Sequence, residues 1–365
     1  MKPIEQLTKH MTEQDLSFIY IDNPFTINYL TGYLSNPHER VLALLLTGSK
    51  SALIVPKLEE QDAKHGAAVD MVFSYSDHEN AFEKIGSFIS DTPGVIKNIG
   101  IETDYLIIDR YNQLKELFPE AEFTSITSPI QDMKVIKSTD EITLMKEAGK
   151  FADIALKVGI NALKTGITEE EVVALIEYEL KKSGIKEMSF DTMVLFGDHA
   201  ASPHGTPGKR QLNPHELVLF DLGVVYNGYT SDVSRTVAYG EVSSELEKLY
   251  TIVLNAQKTA QSAVKAGMTT GEIDAVARDI ISEAGYGEAF THRLGHGLGQ
   301  SVHEYPNIAP GTDLLIREYM CFSIEPGIYL DNIAGIRIED CIVVTDSGAE
   351  SFTQTTKDLI VVPVK

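Results

Sequence analysis

Residues 220–236 read FDLGVVYNGYTSDVSRT, and this stretch decides the fold of the region around it. It contains two β-rich runs joined by Asn-Gly, the strongest short signal for a two-residue hairpin loop. The register that such a loop imposes places Asp221 opposite Ser234 and makes Asp221 and Asp232 diagonal neighbours on one face of the sheet. Two like charges held together in a mostly apolar setting are costly without a cation. A metal ion is therefore expected beside this hairpin.

A second acidic hairpin is predicted at residues 324–339, which read IEPGIYLDNIAGIRIE. Asn332 lies at its midpoint, with Glu325 and Glu339 placed symmetrically on either side, so these two carboxylates are expected to face each other. The Pro-Gly pair after Glu325 should bend the strand beside that side chain. Surface acids beside a loop are a reasonable alternative for one such hairpin and a poor one for two.

Histidines cluster between the two hairpins, where residues 291–304 read THRLGHGLGQSVHE. The glycines in this stretch allow the backbone to approach a site closely. Together with the histidine of the Ser-Pro-His-Gly run at residues 202–205, the candidate site histidines are His204, His292, His296 and His303. A structural role is the more common one for an isolated histidine, and we assign it to His10, His38, His65, His78 and His215 and favour it for His199.

The second part of the chain repeats its own order of helix signals. An amphipathic stretch, a helix-ending glycine, a capping box and a second glycine occur from Ile142 to Gly184 and again from Leu246 to Gly285. The markers that recur 101 residues apart are Gly166 and Gly267, Thr168 and Thr269, Glu171 and Glu272, and Gly184 and Gly285. Four matches in register indicate an internal duplication. Two similar halves about a pseudo-twofold axis would bring both carboxylate pairs to one cleft.

The first part of the chain, residues 1–132, alternates short β-rich runs with helical stretches, a pattern typical of a small α/β domain. It contains no clustered set of metal-ligand residues, so we expect the chemistry elsewhere. Ser138 and Glu141 have capping-box spacing for a new helix, and we predict the domain boundary at about residue 133, with a second domain over residues 133–365. The predicted elements of the first domain are strands at Phe18–Ile21, Val41–Leu46, Ala52–Val55 and Asn98–Ile101 and a helix at Thr103–Leu117.

Composition narrows the classes of partner. The 365 residues include 31 basic and 53 acidic side chains, and the net charge of -22 disfavours binding to nucleic acid or to an anionic membrane. No window reaches the roughly 20 apolar residues of a spanning helix, and the first 25 residues lack a signal-peptide pattern, so a cytoplasmic protein is expected. Cys321 and Cys341 are then expected as reduced thiols in the core.

The acids and one histidine resemble the metal-ligand set of the pita-bread metallopeptidases, family M24, which include methionine aminopeptidase, aminopeptidase P and prolidase. The resemblance covers essentially the whole chain, because methionine aminopeptidases lack an N-terminal domain of creatinase type and creatinase itself lacks the ligands. It implies an α/β (α+β) protein in which a creatinase-type α/β domain precedes a pseudo-twofold pita-bread domain. The implied metal ligands are Asp221, Asp232, His296, Glu325 and Glu339.

Local sequence contexts narrow the resemblance to one activity within the family. Pro37-His-Glu-Arg, Gly295-His-Gly-Leu-Gly and Cys321-Phe-Ser-Ile-Glu-Pro-Gly are most similar to bacterial Xaa-Pro dipeptidases. The Xaa-Pro bond is a tertiary amide without an N–H, so a protease that grips an extended backbone handles it poorly. A Xaa-Pro aminopeptidase acting on longer peptides is the near alternative, and a non-catalytic binding protein on the same fold is the remote one.

The resemblance also implies cofactors and roles. Four carboxylates and one imidazole suit two hard divalent ions, most readily Mn(II), with Co(II), Fe(II) or Zn(II) as alternatives, roughly 3.5 to 4 Å apart and sharing a water that becomes the hydroxide nucleophile. Glu325 would be both a ligand and the general base, and His303 would help stabilise the oxyanion or the substrate carbonyl. Arg337 would pair with carboxylates or with the substrate, and the proline carboxylate of a dipeptide would lie near His292 and Arg337. The implied catalytic residues are Glu325, His303, His204, His292 and Arg337, and the implied substrate-binding residues are His204, His292, His303, Tyr329 and Arg337. We also expect a homodimer, in which a loop near Pro37–Arg40 reaches the partner's site.

Overall fold

The computed structural model describes residues 2–90 and 95–365, which fall into two compact units that meet in sequence between Lys134 and Val135. Among these residues no helix combines the length and the apolar character that crossing a membrane requires.

The N-terminal unit is a mixed sheet with helices on both faces. The strands follow the order β4-β3-β2-β1-β5-β6, and β1 pairs antiparallel with β2 but parallel with β5. Its strands are β1 (Phe18–Ile21), β2 (Ala43–Leu46), β3 (Ser51–Pro56), β4 (Met71–Tyr75), β5 (Asn98–Ile101) and β6 (Glu122–Ser125). Its helices are α1 (Pro3–Glu13), α2 (Pro24–Thr31), α3 (Glu60–Gly66), α4 (Glu83–Ile89), α5 (Ile108–Leu117) and α6 (Thr127–Lys134).

Strand β1 shows why this sheet is buried on both sides. Phe18 and Tyr20 point into an apolar cluster with α4 and α5, whereas Ile19 and Ile21 point into a second cluster with α1 and α2. A strand covered on both faces has a continuous apolar sequence instead of an alternating one. The predicted strands at Phe18–Ile21 and Asn98–Ile101 are confirmed to the residue.

The predicted helix at Thr103–Leu117 is wrong over its first five residues, because α5 begins at Ile108. Thr103 does not cap a helix: its N–H donates to Thr127 Oγ1 at 3.1 Å, and its hydroxyl lies 2.8 Å from Ser125 Oγ. These contacts tie the residues after β5 to the end of β6 and the start of α6. The residues after β5 form a turn in which the N–H of Leu106 bonds the carbonyl of Glu102. Tertiary hydrogen bonds thus override the local helix signal.

Glu102 gives this unit a pH-dependent stability. It is 4% exposed, and Oε1 accepts bonds from Thr26 and Asn23, but Oε2 has no hydrogen-bond partner within the described ranges. Burial, with a smaller contribution from the charge of Asp104, raises the pKa of Glu102 to about 7. A raised pKa favours the protonated native form, so its stabilising contribution is complete below the ordinary value of 4.5 and is lost as the pH rises through about 7.

Substitution of Glu102 by Gln should therefore stabilise the protein above pH 7. We expect the variant to exceed the wild type by roughly 2 to 3 kcal/mol at pH 8.5 and to match it near pH 5. Calorimetric unfolding at the two pH values measures the difference. Glu122→Gln, on the exposed face of β6, is the matched control. An equal loss of stability with pH in wild type and Glu102→Gln would contradict the assignment.

The C-terminal unit contains two similar halves, each a helix pair on a sheet. Helices α7 (Thr139–Ala162) and α8 (Glu169–Lys182) pack in the first half, and α9 (Ser244–Ala263) and α10 (Thr270–Glu283) in the second. The strands of the first half are β7 (Glu187–Met188), β8 (Met193–Phe196), β9 (Glu216–Leu222), β10 (Val224–Tyr226), β11 (Tyr229–Thr230) and β12 (Val233–Tyr239). Those that follow are β13 (Gly295–Gly297), β14 (Glu304–Ile308), β15 (Cys321–Ile324), β16 (Gly327–Leu330), β17 (Ala334–Arg337), β18 (Asp340–Thr345), β19 (Gly348–Ser351) and β20 (Val361–Val362).

The duplication predicted from the sequence is confirmed in the helices. Helices α8 and α10 begin and end 101 residues apart, and both have complete capping boxes. Thr168 and Thr269 each accept the N–H of the glutamate three residues later at 3.2 Å. The four marker glycines all have positive φ, between 80° and 94°, so they end or connect helices as expected.

The two sheets carry the two acidic hairpins. The first has the order β20-β12-β9-β8, and the second has the order β14-β13-β15-β18-β19. Apolar clusters fill the space between each sheet and its helices, with Phe220 and Ile176 in the first half and Phe322 and Ile273 in the second. The acidic side chains project from the opposite side of these packed layers, toward each other.

Candidate metal centre and active site

The first acidic hairpin has the register that the sequence predicts. Tyr226 pairs with Tyr229 across the two-residue loop, and both loop residues have positive φ, 48° at Asn227 and 84° at Gly228. Positive φ at both central positions defines the hairpin turn that matches strand twist. Along β9 and β12, Asp221 pairs with Ser234, which confirms the predicted alignment.

The second hairpin is also confirmed. Strands β16 and β17 pair Leu330 with Ala334, and β15 and β18 pair Ile324 with Asp340. Both pairings are centred on Asn332, so the register places Glu325 opposite Glu339. The chain leaves one sheet after Ile324 and enters the β16-β17 ribbon at Gly327. The strand is therefore interrupted at Glu325 and Pro326, and Gly327 of the predicted Pro-Gly pair already belongs to the next strand.

The two hairpins and His296 of β13 converge on one buried cluster. Ligand atoms of Asp232, His296 and Glu339 lie within 4.8 Å of one another, and all three residues are buried. His296 Nε2 lies 3.2 Å from Glu325 Oε1 and 3.6 Å from Asp232 Oδ2. Asp221 joins the cluster from β9 through Arg337, whose Nη2 lies 2.5 Å from Asp221 Oδ2.

Unpartnered oxygens show that this cluster fits divalent cations. Asp221 Oδ1, Asp232 Oδ1 and Glu339 Oε1 are buried, and none of them has a hydrogen-bond partner in the part of the chain that the structure describes. A buried carboxylate oxygen without a donor costs the full loss of its hydration. Oxygen-rich ligand sets of this kind suit hard divalent ions. The types of residue and the unpartnered oxygen atoms therefore both indicate a site for divalent cations.

The pKa values of the carboxylates in the cluster are shifted in opposite directions. Burial, followed by the charges of Asp221 and Glu325, raises the pKa of Asp232 well above its usual range. Burial and the same kind of carboxylate repulsion, led by Asp232, raise the pKa of Glu339 in the same way. Burial also acts to raise the pKa of Glu325, but the hydrogen bond and charge of His296 outweigh it and hold that pKa at about 2. Positive charge is therefore favoured at the Asp232 and Glu339 side of the cluster.

Arg337 and Tyr329 form a hydrogen-bond network beside the cluster. Arg337 is 4% exposed; Nη1 donates to Tyr329 Oη at 2.8 Å and Nε donates to Ser234 Oγ at 2.9 Å. Tyr329 Oη also lies 2.9 Å from His292 Nε2. Desolvation lowers the pKa of the half-buried His292. These contacts form a continuous chain from His292 through Tyr329 and Arg337 to Asp221.

The remaining predicted histidines differ in exposure. The ring of His303 lies 4.1 Å from that of His296, and burial, followed by the charges of His296 and Arg293, lowers the pKa of His303 to about 4. His204 is exposed and follows Pro203, whose carbonyl accepts a bond from Arg337 Nη1 at 3.4 Å. His199 instead bonds the fully buried Glu169 through Nδ1 at 2.9 Å. That contact agrees with the structural role favoured for His199.

Two buried serines contact the cluster and were not among the predicted site residues. Ser234 Oγ donates to Glu339 Oε2 at 2.7 Å. Ser323 Oγ donates to Glu325 Oε1 at 2.9 Å and accepts the N–H of His296 at 3.0 Å. The sequence held a signal for both, since Ser234 and Ser323 each lie two residues from a predicted ligand on a strand and thus on the same face.

Comparison with known proteins places these features in context. The model of metallopeptidase family M24 matches residues 143–346, and that of the creatinase/prolidase N-terminal domain matches residues 3–136. The chain is 44% identical to an Xaa-Pro dipeptidase of Lactobacillus helveticus over 365 residues, covering 99% of both proteins. A prolidase structure from Pyrococcus horikoshii OT3 superposes with a TM-score of 0.91 at 35% identity, covering 98% of this chain and 99% of that one. An X-Pro aminopeptidase structure from Thermotoga maritima MSB8 gives 0.90 at 30% identity, covering 99% and 100%.

Proposed function

Because this chain belongs to metallopeptidase family M24, we propose that it hydrolyses the Xaa-Pro bond of dipeptides. The expected fold, a creatinase-type domain followed by a pita-bread metallopeptidase domain, is confirmed. The observation that carries the proposal is the buried cluster of Asp232, His296 and Glu339 in a chain 44% identical to an Xaa-Pro dipeptidase. Both predicted carboxylate pairs lie in the unit that begins at Val135, which supports residues 133–365 as the catalytic domain.

We propose that two divalent cations are held by the carboxylates of the two hairpins and by His296. When bound, the cations supply Lewis acidity, which acidifies water and polarises the scissile carbonyl. The open oxygens Asp221 Oδ1, Asp232 Oδ1 and Glu339 Oε1 support this assignment. Mn(II) is the proposed metal because the donors are predominantly hard oxygen atoms. The proposed ligands are Asp221, Asp232, His296, Glu325 and Glu339.

The protein's own groups can move and hold the proton of the reaction. Glu325 is the proposed general base, whose carboxylate accepts a proton from water. Ser323 and His296 fix one of its oxygens, which orients the other. His303, with a pKa of about 4, is a neutral imidazole at pH 7 and can donate one N–H to the carbonyl oxygen of the substrate.

The substrate pocket is proposed on the side of the cluster that carries His204, His292 and His303. His292 is half-buried and held by Tyr329, so it offers a fixed surface for the proline ring or its carboxylate. Arg337 donates to Asp221, Tyr329 and Ser234, and these bonds support a role in bracing the site more than direct contact with the substrate.

Three peptides test the proposal and separate its alternatives. We expect purified protein with Mn(II) to hydrolyse Ala-Pro and to leave Ala-Pro-Ala and Met-Ala-Ser intact, measured by release of free amino acid. Cleavage of Ala-Pro-Ala would replace the dipeptidase by an Xaa-Pro aminopeptidase. No cleavage with Mn(II), Co(II), Fe(II) or Zn(II) would favour a binding protein.

Assembly and location complete the proposal. We propose a homodimer in the cytoplasm; Cys321 and Cys341, both buried and free of a disulfide, are compatible with a reducing compartment. Light scattering that shows a monomer at the assay concentration would refute the dimer. Fractionation of native cells, with metal analysis of the purified protein, measures the location and the bound metal.

A further inference from the structure

Ser234 belongs to the first hairpin and contacts the second. It lies on β12, is fully buried, pairs with Asp221 across the sheet and follows Asp232 by two residues. Its backbone carbonyl accepts the N–H of Glu339 at 3.0 Å and Arg235 Nη1 at 2.9 Å. One residue of the first half thus holds the backbone of a proposed ligand from the second half.

The donor and acceptor directions of the hydrogen bonds made by the Ser234 hydroxyl are fixed. Arg337 Nε can only donate, so the Oγ of Ser234 must accept that bond, at 2.9 Å. A serine hydroxyl has a single hydrogen, which is therefore left for Glu339 Oε2 at 2.7 Å. With Glu339 ionised, as a metal ligand is, the arrangement allows one pattern of donors and acceptors, in which Glu339 accepts.

This pattern keeps two opposite charges apart. Ser234 Oγ lies between the guanidinium of Arg337 and the carboxylate of Glu339, while Arg337 Nη2 bonds Asp221 directly. The terminal torsion of a glutamate is soft, so its carboxylate rotates readily when no donor holds it. Without the hydroxyl, Arg337 Nε and Glu339 Oε2 would both lose a buried partner and could pair with each other. A direct pair would turn Glu339 away from its proposed cation.

We propose that Ser234 is a positioning residue of the metal centre, whose hydroxyl aims Glu339 at the cations and keeps Arg337 on Asp221. The inference rests on the proposed role of Glu339 as a ligand. Loss of groups that orient metal ligands typically weakens metal binding by about 10- to 100-fold. We expect that loss in Ser234→Ala and recovery of most of the affinity in Ser234→Thr, which keeps the hydroxyl.

Thr236 provides a matched control on the same face of β12. It is buried, and its hydroxyl donates to the carbonyl of Arg337 at 3.1 Å and accepts the N–H of Arg337 at 3.2 Å. Thr236→Val therefore removes a buried hydroxyl whose two hydrogen bonds are to the backbone of Arg337. We expect it to lower the melting temperature of metal-free protein as much as Ser234→Ala does, with Mn(II) affinity close to that of the wild type.

Titration calorimetry of Mn(II) into metal-stripped protein, with thermal unfolding of the same samples, tests the inference. Wild-type affinity in Ser234→Ala, or an equal loss in Thr236→Val, would overturn it. If Ser234→Ala does not fold, Ser234→Val and Ser234→Thr can be compared instead, because valine and threonine have nearly the same shape and only threonine has a hydroxyl. We expect only Ser234→Thr to retain the affinity for Mn(II). If the wild type neither binds Mn(II) nor cleaves Ala-Pro, the proposed function itself is refuted. If the wild type is active and Ser234→Ala binds Mn(II) with the same affinity, only this inference is refuted.

Discussion

Asp232→Asn and Glu339→Gln should each lower turnover of Ala-Pro by at least about a thousandfold. Each replaces a proposed metal ligand by a neutral amide, and a bound cation stabilises the transition state by several kcal/mol. Both side chains are buried, and each has one oxygen without a hydrogen-bond partner among the residues described. Bound metal should fall in parallel with activity.

The same two variants should keep the fold. Each replacement is nearly isosteric and removes one charge from a volume shared by several carboxylates, so metal-free variant protein should be at least as stable as metal-free wild type. Turnover, metal content and melting temperature of the purified variants measure the three effects. Glu241→Gln, an exposed acid of the same unit, is the control. Full activity in Asp232→Asn or Glu339→Gln would refute the assigned site.

Gly295→Ala should disable the protein by a different route. A Cβ at this position would lie 1.9 Å from the carbonyl oxygen of Ser323 and 2.7 Å from its carbonyl carbon, so β13 would have to move away from β15. That movement would break the bond from the His296 N–H to Ser323 Oγ and displace both the histidine and the serine that holds Glu325. We expect loss of activity and of metal, with destabilisation of about 3 kcal/mol or more.

Thermal unfolding and metal analysis of Gly295→Ala measure these losses. Gly208→Ala is the matched control, because no described atom outside its own chain neighbours lies within 4 Å of an added Cβ and its φ is not in the left-handed region. Gly208→Ala should retain wild-type melting and activity. If Gly295→Ala did so too, the close approach of β13 to β15 would be wrong.

Much of the site could be predicted because its geometry is local in sequence. A two-residue Asn-Gly loop fixes the register of its hairpin, and that register alone places Asp221 opposite Ser234. The symmetric spacing about Asn332 does the same for Glu325 and Glu339. The 101-residue repeat of caps and glycines predicts the duplicated helices for a similar reason, since each cap is set by residues three apart.

What the sequence could not give depends on contacts between distant segments. The bond from Ser234 to Glu339 joins residues 105 apart and exists only because the two halves meet. The partners of Arg337 follow from the torsions of a long side chain among several acceptors, which no local pattern specifies. The start of α5 at Ile108 has the same cause, since Thr103 bonds Thr127, the first residue of α6.

The rate of Ala-Pro hydrolysis by metal-stripped protein, measured as Mn(II) is added back, tests the central claim most directly. A carboxylate cluster that holds two catalytic cations predicts no hydrolysis without metal and a rate that reaches its maximum at about two equivalents of Mn(II) per chain. Undiminished hydrolysis in the presence of excess chelator would contradict it.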